Sequence, residues 1–303
     1  MKRQFIAIPA LLFLLFLTVS ESLCDERTFE KKFSVSPGGT LTVKTDVGSI
    51  AIRGTASSEV SVVAEIRGRE KDVKDFEVVA KQTSDGVEVI GRTSRGMWRF
   101  FSWSDLEVRF TINVPNSYNV KTNTSGGEIA VHNLKGFVRG GTSGGDITLT
   151  DIDGLITVNT SGGQITIDRV QGNINAETSG GDVGVGSVVG DVDVGTSGGN
   201  VRVSDVIGRV RAQTSGGDVV VKVKEENKGI FAETSGGNID VIVPSSVSAT
   251  VDAKSSGGDV RCDLPVTVSG KVNESRIRGS INGGGNTIYA HTSGGDIRIR
   301  SGD

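Results

Sequence analysis

Thr-Ser-Gly-Gly returns at Thr124, Thr142, Thr160, Thr178, Thr196 and Thr214, a step of eighteen residues that never slips. Glycine also stands at 127, 136, 145, 154, 163, 172, 181, 190, 199, 208 and 217, so each unit is two half-units of nine. A period of this length means one supersecondary unit per repeat, and such a unit buries its apolar side only against its neighbours.

The half-units alternate apolar and polar residues with period two, as in Gly145-Asp146-Ile147-Thr148-Leu149-Thr150 and Gly154-Leu155-Ile156-Thr157-Val158-Asn159. That alternation marks half-buried strands. Strands of about five residues between glycine turns leave no room for helices. Stacked in parallel at about 4.8 Å, such units satisfy each other's backbone. The expected fold is therefore all-β: a parallel β-solenoid, a single-stranded β-helix or β-roll-like coil of eighteen residues per turn, capped at its N-terminal end. The crossover preference of parallel strands makes the coil right-handed. The glycines are expected in turns that need positive φ.

The inward columns can be named. Ile129, Ile147, Ile165, Val183, Val201, Val219, Ile239, Val260 and Ile297 form one, and Val131, Leu149, Ile167, Val185, Val203, Val221 and Val241 a second. Val138, Ile156, Ile174, Val192, Val210 and Ile230 line the opposite wall, and Leu134, Ile152, Val170, Val188 and Val206 fill a corner. β-branched residues suit a pleated surface, and each buried one contributes roughly 1.5–3 kcal/mol.

At the start, Lys2 and Arg3 precede an apolar run from Phe5 to Leu17, with Ser20 and Ser22 behind it. This is the pattern of a secretory leader, too short and too early for a spanning helix. Export to the periplasm, cell surface or medium follows. Membrane attachment is expected only through lipidation of Cys24, where Leu23 occupies the place of the usual small residue. The chain divides into a leader at 1–24, N-terminal coils and a cap at 25–123, and the regular solenoid with its last coils at 124–303. In the capping region Val60 to Ile66 and Val87 to Ile90 read as strands, and the charged stretch from Glu70 to Phe76 as a short helix or a loop. From Ser255 to Thr292 the 37-residue gap reads as two coils, ending in Ile297-Arg298-Ile299-Arg300, whose charges would guard the end of the rod.

The net charge of −3 becomes −4 when Lys2, Arg3 and Glu21 leave with the leader. No patch of one sign is evident, and nucleic acid is not an expected partner. Two cysteines exclude a disulfide scaffold, and Cys262 reads as a small buried hydrophobe. His132 and His291 are far apart with no carboxylate or thiol beside them, so no catalytic constellation and no cofactor are expected. The residues after the glycine pairs, Glu128, Asp146, Gln164, Asp182, Asn200, Asp218, Asn238, Asp259 and Asp296, always carry oxygen. The full calcium motif is missing, and turn-forming side chains bonded to their own backbone explain the column. The threonines suit a hydroxyl ladder between coils. An ice-binding array is excluded because the outward neighbours change from Thr148 to Arg202 to Asp240. Asp191 and Asp193 should pair with Arg209 and Arg211 one coil on.

One segment stands apart. Met97-Trp98-Arg99-Phe100-Phe101-Ser102-Trp103 concentrates the aromatic residues of an aromatic-poor chain. Trp98, Phe100, Phe101 and Trp103 either plug the first coil or form an exposed loop that touches an envelope protein, a glycan or a lipid surface.

With Gly48-Ser49-Ile50-Ala51-Ile52, a Val-Pro-x-Ser entry at Val114 and turns such as Thr214-Ser215-Gly216-Gly217-Asp218-Val219, the chain resembles a bacterial family. That family is the exported domain of unknown function with a β-strand repeat that carries the label "putative adhesin". The resemblance runs from about Phe33 to Arg300 and implies a non-enzymatic, adhesin-like binding or scaffolding module of the cell envelope, with no ligand residues to transfer. Two other readings stay open: a glycan-acting β-helix enzyme with Asp105, Glu107 and Arg109 facing the aromatic loop, and a calcium-stabilised β-roll.

Overall fold

The computed structural model describes residues 24–93, 106–225, 227–268 and 273–302. The leader, the aromatic segment with Trp98, Phe100, Phe101 and Trp103, and the side chain of Cys24 lie outside the described residues.

Each regular rung gives one strand to each of two facing sheets. Ile156–Thr160 lies in sheet B, the Thr-Ser-Gly-Gly turn carries the chain to Ile165–Gln171 in sheet A, and a turn at Gly172 returns it to Ile174–Thr178 in sheet B. Neighbouring rungs are parallel and offset by one repeat, pairing Ile147 with Ile165 and Ile156 with Ile174. Among the described residues sheet A has 13 strands and sheet B has 14. This is the expected β-solenoid.

All four inward columns close on the interior. A fifth, of smaller residues, runs through Val158, Ala176, Val194, Ala212 and Ala232 on sheet B. Five successive strands of sheet A are not straight, because one residue in each takes a left-handed conformation: Asn133, Asp151, Arg169, Ser187 and Asp205, with φ between 52° and 59°. The kink places two consecutive residues outside and turns the next, such as Ile152 or Val170, back into the corner.

The turns differ from expectation. The second glycine of each Thr-Ser-Gly-Gly is required by close approach, since a Cβ on Gly163 would stand 1.9 Å from the carbonyl oxygen of Gly145. Positive φ belongs to the other corner, at Gly136, Gly154, Gly172 and Gly190. Threonine is buried at the turn and bonds backbone rather than another hydroxyl. Thr160 Oγ1 donates to Gly145 O at 3.0 Å and accepts from Gly163 N at 3.3 Å, and the pattern recurs from Thr142 to Thr292. The Asp and Asn column likewise reaches the next rung instead of its own backbone. Asp146 Oδ1 accepts from Gln164 N at 2.8 Å, and Asp182 Oδ1 from Asn200 N at 2.7 Å.

Both ends are threaded out of sequence order. Thr40–Thr45 and Ser49–Thr55 form a rung that lies between Asn119–Thr124 with Ile129–Lys135 on one side and Gly86–Thr93 with Glu107–Pro115 on the other. Outside it, Glu59–Arg69 and Cys24–Ser34 add antiparallel to sheet A, and Phe76–Thr83 adds antiparallel to sheet B. Between them Glu70–Asp75 is a helix of six residues that buries Val73. Phe33, Phe76 and Phe110 fill this end. Arg27 donates to Phe76 O, and Lys31 Nζ to Ala80 O at 2.8 Å, so the first strand ties the two sheets together. The cap is thus built from antiparallel strands, and its outermost ones, Cys24–Ser34 and Phe76–Thr83, are paired on one side only.

At the other end the segment from Ser255 to Thr292 does not make two successive coils. Arg276–Ile281 turns back antiparallel to Ala249–Ser255, and Val266–Val268 pairs with it. The final rung, Thr287–Thr292 with Ile297–Ser301, then enters between Ile230–Thr234 with Ile239–Val243 and Ala249–Ser255 with Val260–Cys262. Arg298 and Arg300 therefore do not guard an edge. They pair with Asp263 and Asp240 on opposite sides of their strand, at 2.7 and 2.8 Å.

Candidate functional site

Sheet B turns its inward columns to the core and presents the residues between them to solvent. Parallel registry makes each outward position a column running along the rod. One column reads Thr42, Lys121, Arg139, Thr157, Asn175, Asp193, Arg211, Phe231 and Tyr289, and the next reads Lys44, Asn123, Gly141, Asn159, Glu177, Gly195, Gln213, Glu233 and His291. Beside the second runs the exposed serine of each turn: Ser143, Ser161, Ser179, Ser197, Ser215 and Ser235.

This wall is not smooth. Where the columns carry glycine, the face sinks. Around Gly141 an open hollow of about 800 Å³ is bordered by Lys44, Glu88, Lys121, Arg139 and Asn123. A second hollow, of about 540 Å³, follows the serine edge past Glu177, Gly195, Gln213 and Glu233. The two share Asn159 and Ser161, so together they form one trough. From the rung of Lys44 to that of Glu233 it crosses eight rungs, or about 34 Å at the spacing of paired strands.

The basic end corrects the expectation that no patch of one sign exists. Lys44 lies far from Lys121 in sequence but on the adjoining strand, opposite Asn123, because its rung is inserted beside the rung of 119–124. Lys121 Nζ and Arg139 Cζ lie 5.8 and 5.1 Å from the centre of the Phe137 ring, near enough for cation–π attraction. The carboxylate of Glu88 is engaged by Lys81 at 2.9 Å, which holds it below its ordinary pKa. Among the described residues none of the three cations pairs with a carboxylate. Thr122, between Lys121 and Asn123 on the same strand, faces the core instead, where it is 5% exposed and its hydroxyl has no hydrogen-bond partner.

The far end of the same face carries aromatic residues. Phe231 and Tyr289 stack at 4.6 Å, Tyr289 and His291 at 3.8 Å, and Arg211 covers Phe231 at 4.5 Å. A groove of about 660 Å³ opens beside Gly229, which follows Asn173, Asp191 and Arg209 in the position before each sheet B strand. Its charges are spoken for: Arg209 meets Asp191 at 2.6 Å and Arg211 meets Asp193 at 3.7 Å, as the eighteen-residue spacing predicts. The Arg209 guanidinium holds the Asp191 carboxyl below the usual carboxylate range.

The residues singled out from sequence are scattered. Trp98, Phe100, Phe101, Trp103 and Asp105 fall outside the described residues. Glu107 and Arg109 are exposed on one strand of sheet A and face each other at 3.7 Å. His132 lies on sheet A beside Thr150, while His291 lies on sheet B with Asp252 at 3.6 Å. Cys262 shares the inward column of Val241 and Ile299 on a rim strand, half-buried, and burial pushes its thiol pKa up. Among the described residues no three His, Cys, Asp or Glu side chains converge as a metal site would require.

No curated protein matches the chain. Solved structures resemble it at low identity. One described as a putative adhesin from Bacteroides fragilis is 15% identical, over 91% of this chain and 97% of its own, with a TM-score of 0.43. A second, described as a putative lipid binding protein from Parabacteroides distasonis, is 10% identical over the same shares, with a TM-score of 0.45. A putative cell adhesion protein from Clostridium sporogenes is 16% identical over 91% of this chain and all of its own, with a TM-score of 0.23. The sequence profile of one family matches residues 39–300, and with them nearly the whole solenoid. The chain belongs to the Toastrack DUF4097 family.

Proposed function

We propose that this protein is exported and serves, without catalysing a reaction, as an adhesin-like binding or scaffolding module of the cell envelope, with the outer face of sheet B as its contact surface. The observation that carries this reading is the trough itself, about 34 Å of polar side chains held in fixed register by a parallel ladder. A rigid row of shallow contacts suits an extended partner. It gives little enclosure for the water-excluded chemistry of an active site. The leader pattern of Lys2, Arg3 and the apolar run behind them supports export.

Fractionation of the source cells followed by a pull-down on washed envelope tests compartment and binding together. The expected result is the mature chain outside the cytoplasm and retained on envelope material. A cytoplasmic chain, or one that ignores every envelope fraction, would overturn the reading.

A further inference from the structure

Three residues project from sheet B in the rung of Ile156–Thr160: Leu155, Thr157 and Asn159. Leu155 is 44% exposed, and Phe137 precedes it by one rung in the same column. One rung after Asn159, Glu177 stands proud of the face, because the next position in its column is Gly195. One rung before Asn159 lies the hollow of Gly141, with Lys121 and Arg139 at its edge. A knob and a hollow of opposite charge, placed evenly about one rung, are what a two-fold contact between identical faces requires.

Resting on the reading of this face as the contact surface, we propose that its partner is a second copy of the chain, docked face to face and antiparallel about a two-fold axis along the rung of Leu155. Each residue then meets the one equally many rungs beyond the axis in the same column. Leu155 meets the partner's Leu155 beside the two Phe137 rings, which makes an apolar centre. One rung out, the partner's Glu177 enters the Gly141 hollow beside Arg139. Two rungs out, Lys121 faces the partner's Asp193, and Asn123 fills the gap over the partner's Gly195. No acid meets another. Glu88, already engaged by Lys81 at 2.9 Å, faces the partner's Phe231, and Glu233 faces the partner's Ile90. Sliding the copies by one rung brings Lys121 against the partner's Arg211 in one direction and against the partner's Asn175 in the other, and Glu177 loses its seat in both. From the rung of Glu88 to that of Phe231, at about 4.8 Å per rung and with strands of about five residues, the two faces bury roughly 1,200 Å² in all, the lower edge of the range for specific interfaces.

The test is sedimentation equilibrium of the mature full chain between about 1 and 200 µM. The expected result is a monomer–dimer equilibrium with a Kd on the order of 10 µM, weakening as salt screens the charges. Glu177→Arg and Arg139→Glu each reverse one charge at an exposed position. Either variant alone is expected to dimerise at least about a hundredfold more weakly, with an unchanged melting temperature, because the axis repeats the repulsion at two places. An equimolar mixture of the two is expected to dimerise again, since each copy then offers the charge that the other has lost. Wild type that stays monomeric at about 200 µM, variants that dimerise as wild type does, or a mixture that stays monomeric overturns the proposal. The envelope pull-down separates the two readings. If a monomeric chain is retained on envelope, the second copy falls and the envelope role stands. If the chain dimerises as expected but ignores every envelope fraction, the reverse holds.

Discussion

Gly162 and Gly163 are neighbours in one turn, and the structure asks different things of them. A Cβ on Gly162 would meet nothing nearer than 3.8 Å, an ordinary contact, whereas one on Gly163 would stand 1.9 Å from Gly145 O and 2.4 Å from its carbon. Those are backbone atoms of the rung below, and they cannot retreat while Ile165 N is held to Asp182 O on one side and Thr160 Oγ1 to Gly145 O on the other. Gly163→Ala is therefore expected to cost about 3 kcal/mol or more, at the upper end of overpacking effects. Gly162→Ala is expected to stay within about 1 kcal/mol of wild type, because restriction of the unfolded chain offsets any small strain. Urea unfolding of the two variants checks this, and equal midpoints would refute the steric account. The repeat of glycine was plain in the sequence, but its cause was not. Periodicity shows that a residue is needed at a position without showing whether the need is a dihedral angle or a neighbour's carbonyl oxygen 2 Å away.

Strands were legible wherever one wall faced the core, since burial imposes period two on the apolar residues. The kink in sheet A was harder to read. In Ile129–Lys135 and its successors the alternation skips one residue, and the sequence records this only as two outward residues in a row, such as His132-Asn133, Thr150-Asp151 and Asp168-Arg169. Stacking these doubled positions crowds their side chains. Arg169 meets Asp151 at 2.7 Å, and Arg53 sits across from His132 in the paired strand. Burial, and then the Arg53 charge, holds His132 below its ordinary pKa of 6.5; Asp151 pulls it back up, and Arg169 adds to the depression. The folded protein thus takes up this proton at lower pH than the unfolded chain. Stability from this site is complete above about pH 6.5 and falls as pH drops below that value, until the folded imidazole is charged as well. The urea midpoint is expected to decrease from pH 7.5 to pH 5, and His132→Asn is expected to flatten that part of the profile. An identical slope in the variant would remove His132 from the account. The basic hollow was missed for a related reason. Lys121 and Arg139 stand one eighteen-residue repeat apart, but Lys44 joins their face only through the inserted rung, of which spacing along the chain carries no trace.

At the scale of the whole rod, both ends are closed by a rung placed inside its neighbours. The N-terminal rim is Cys24–Ser34 in sheet A, a strand studded with Asp25, Glu26, Arg27, Glu30, Lys31 and Lys32, with Phe76–Thr83, which carries Glu77 and Lys81, in sheet B, and the C-terminal rim consists of Val260–Cys262 and Val266–Val268, three residues each. Charge at one rim and shortness at the other discourage further strand addition. The sequence offered one hint of the C-terminal insertion: the turn weakens to Ser255-Ser256-Gly257-Gly258 and the full Thr-Ser-Gly-Gly returns only at Thr292. In space the order is Thr234, Thr292, Ser255, since Thr292 Oγ1 donates to Gly237 O and Ser255 Oγ to Gly295 O. A solenoid stacked in chain order frays from its last strand, because that strand has one neighbour in each sheet. Here Thr287–Thr292 and Ile297–Ser301 each have two. Amides of Ile288, Ala290, Ile297 and Ile299 should exchange as slowly as those of Ile165 and Ile167 in the middle of the rod, while Val266 and Val268 exchange early. Removing residues 287–303 should strip both interfaces at once and lower the melting temperature further than loss of a terminal rung with one neighbour. Fast exchange over 287–301 in the intact chain would mean that the final rung lies outermost, and the intercalated order would have to be given up.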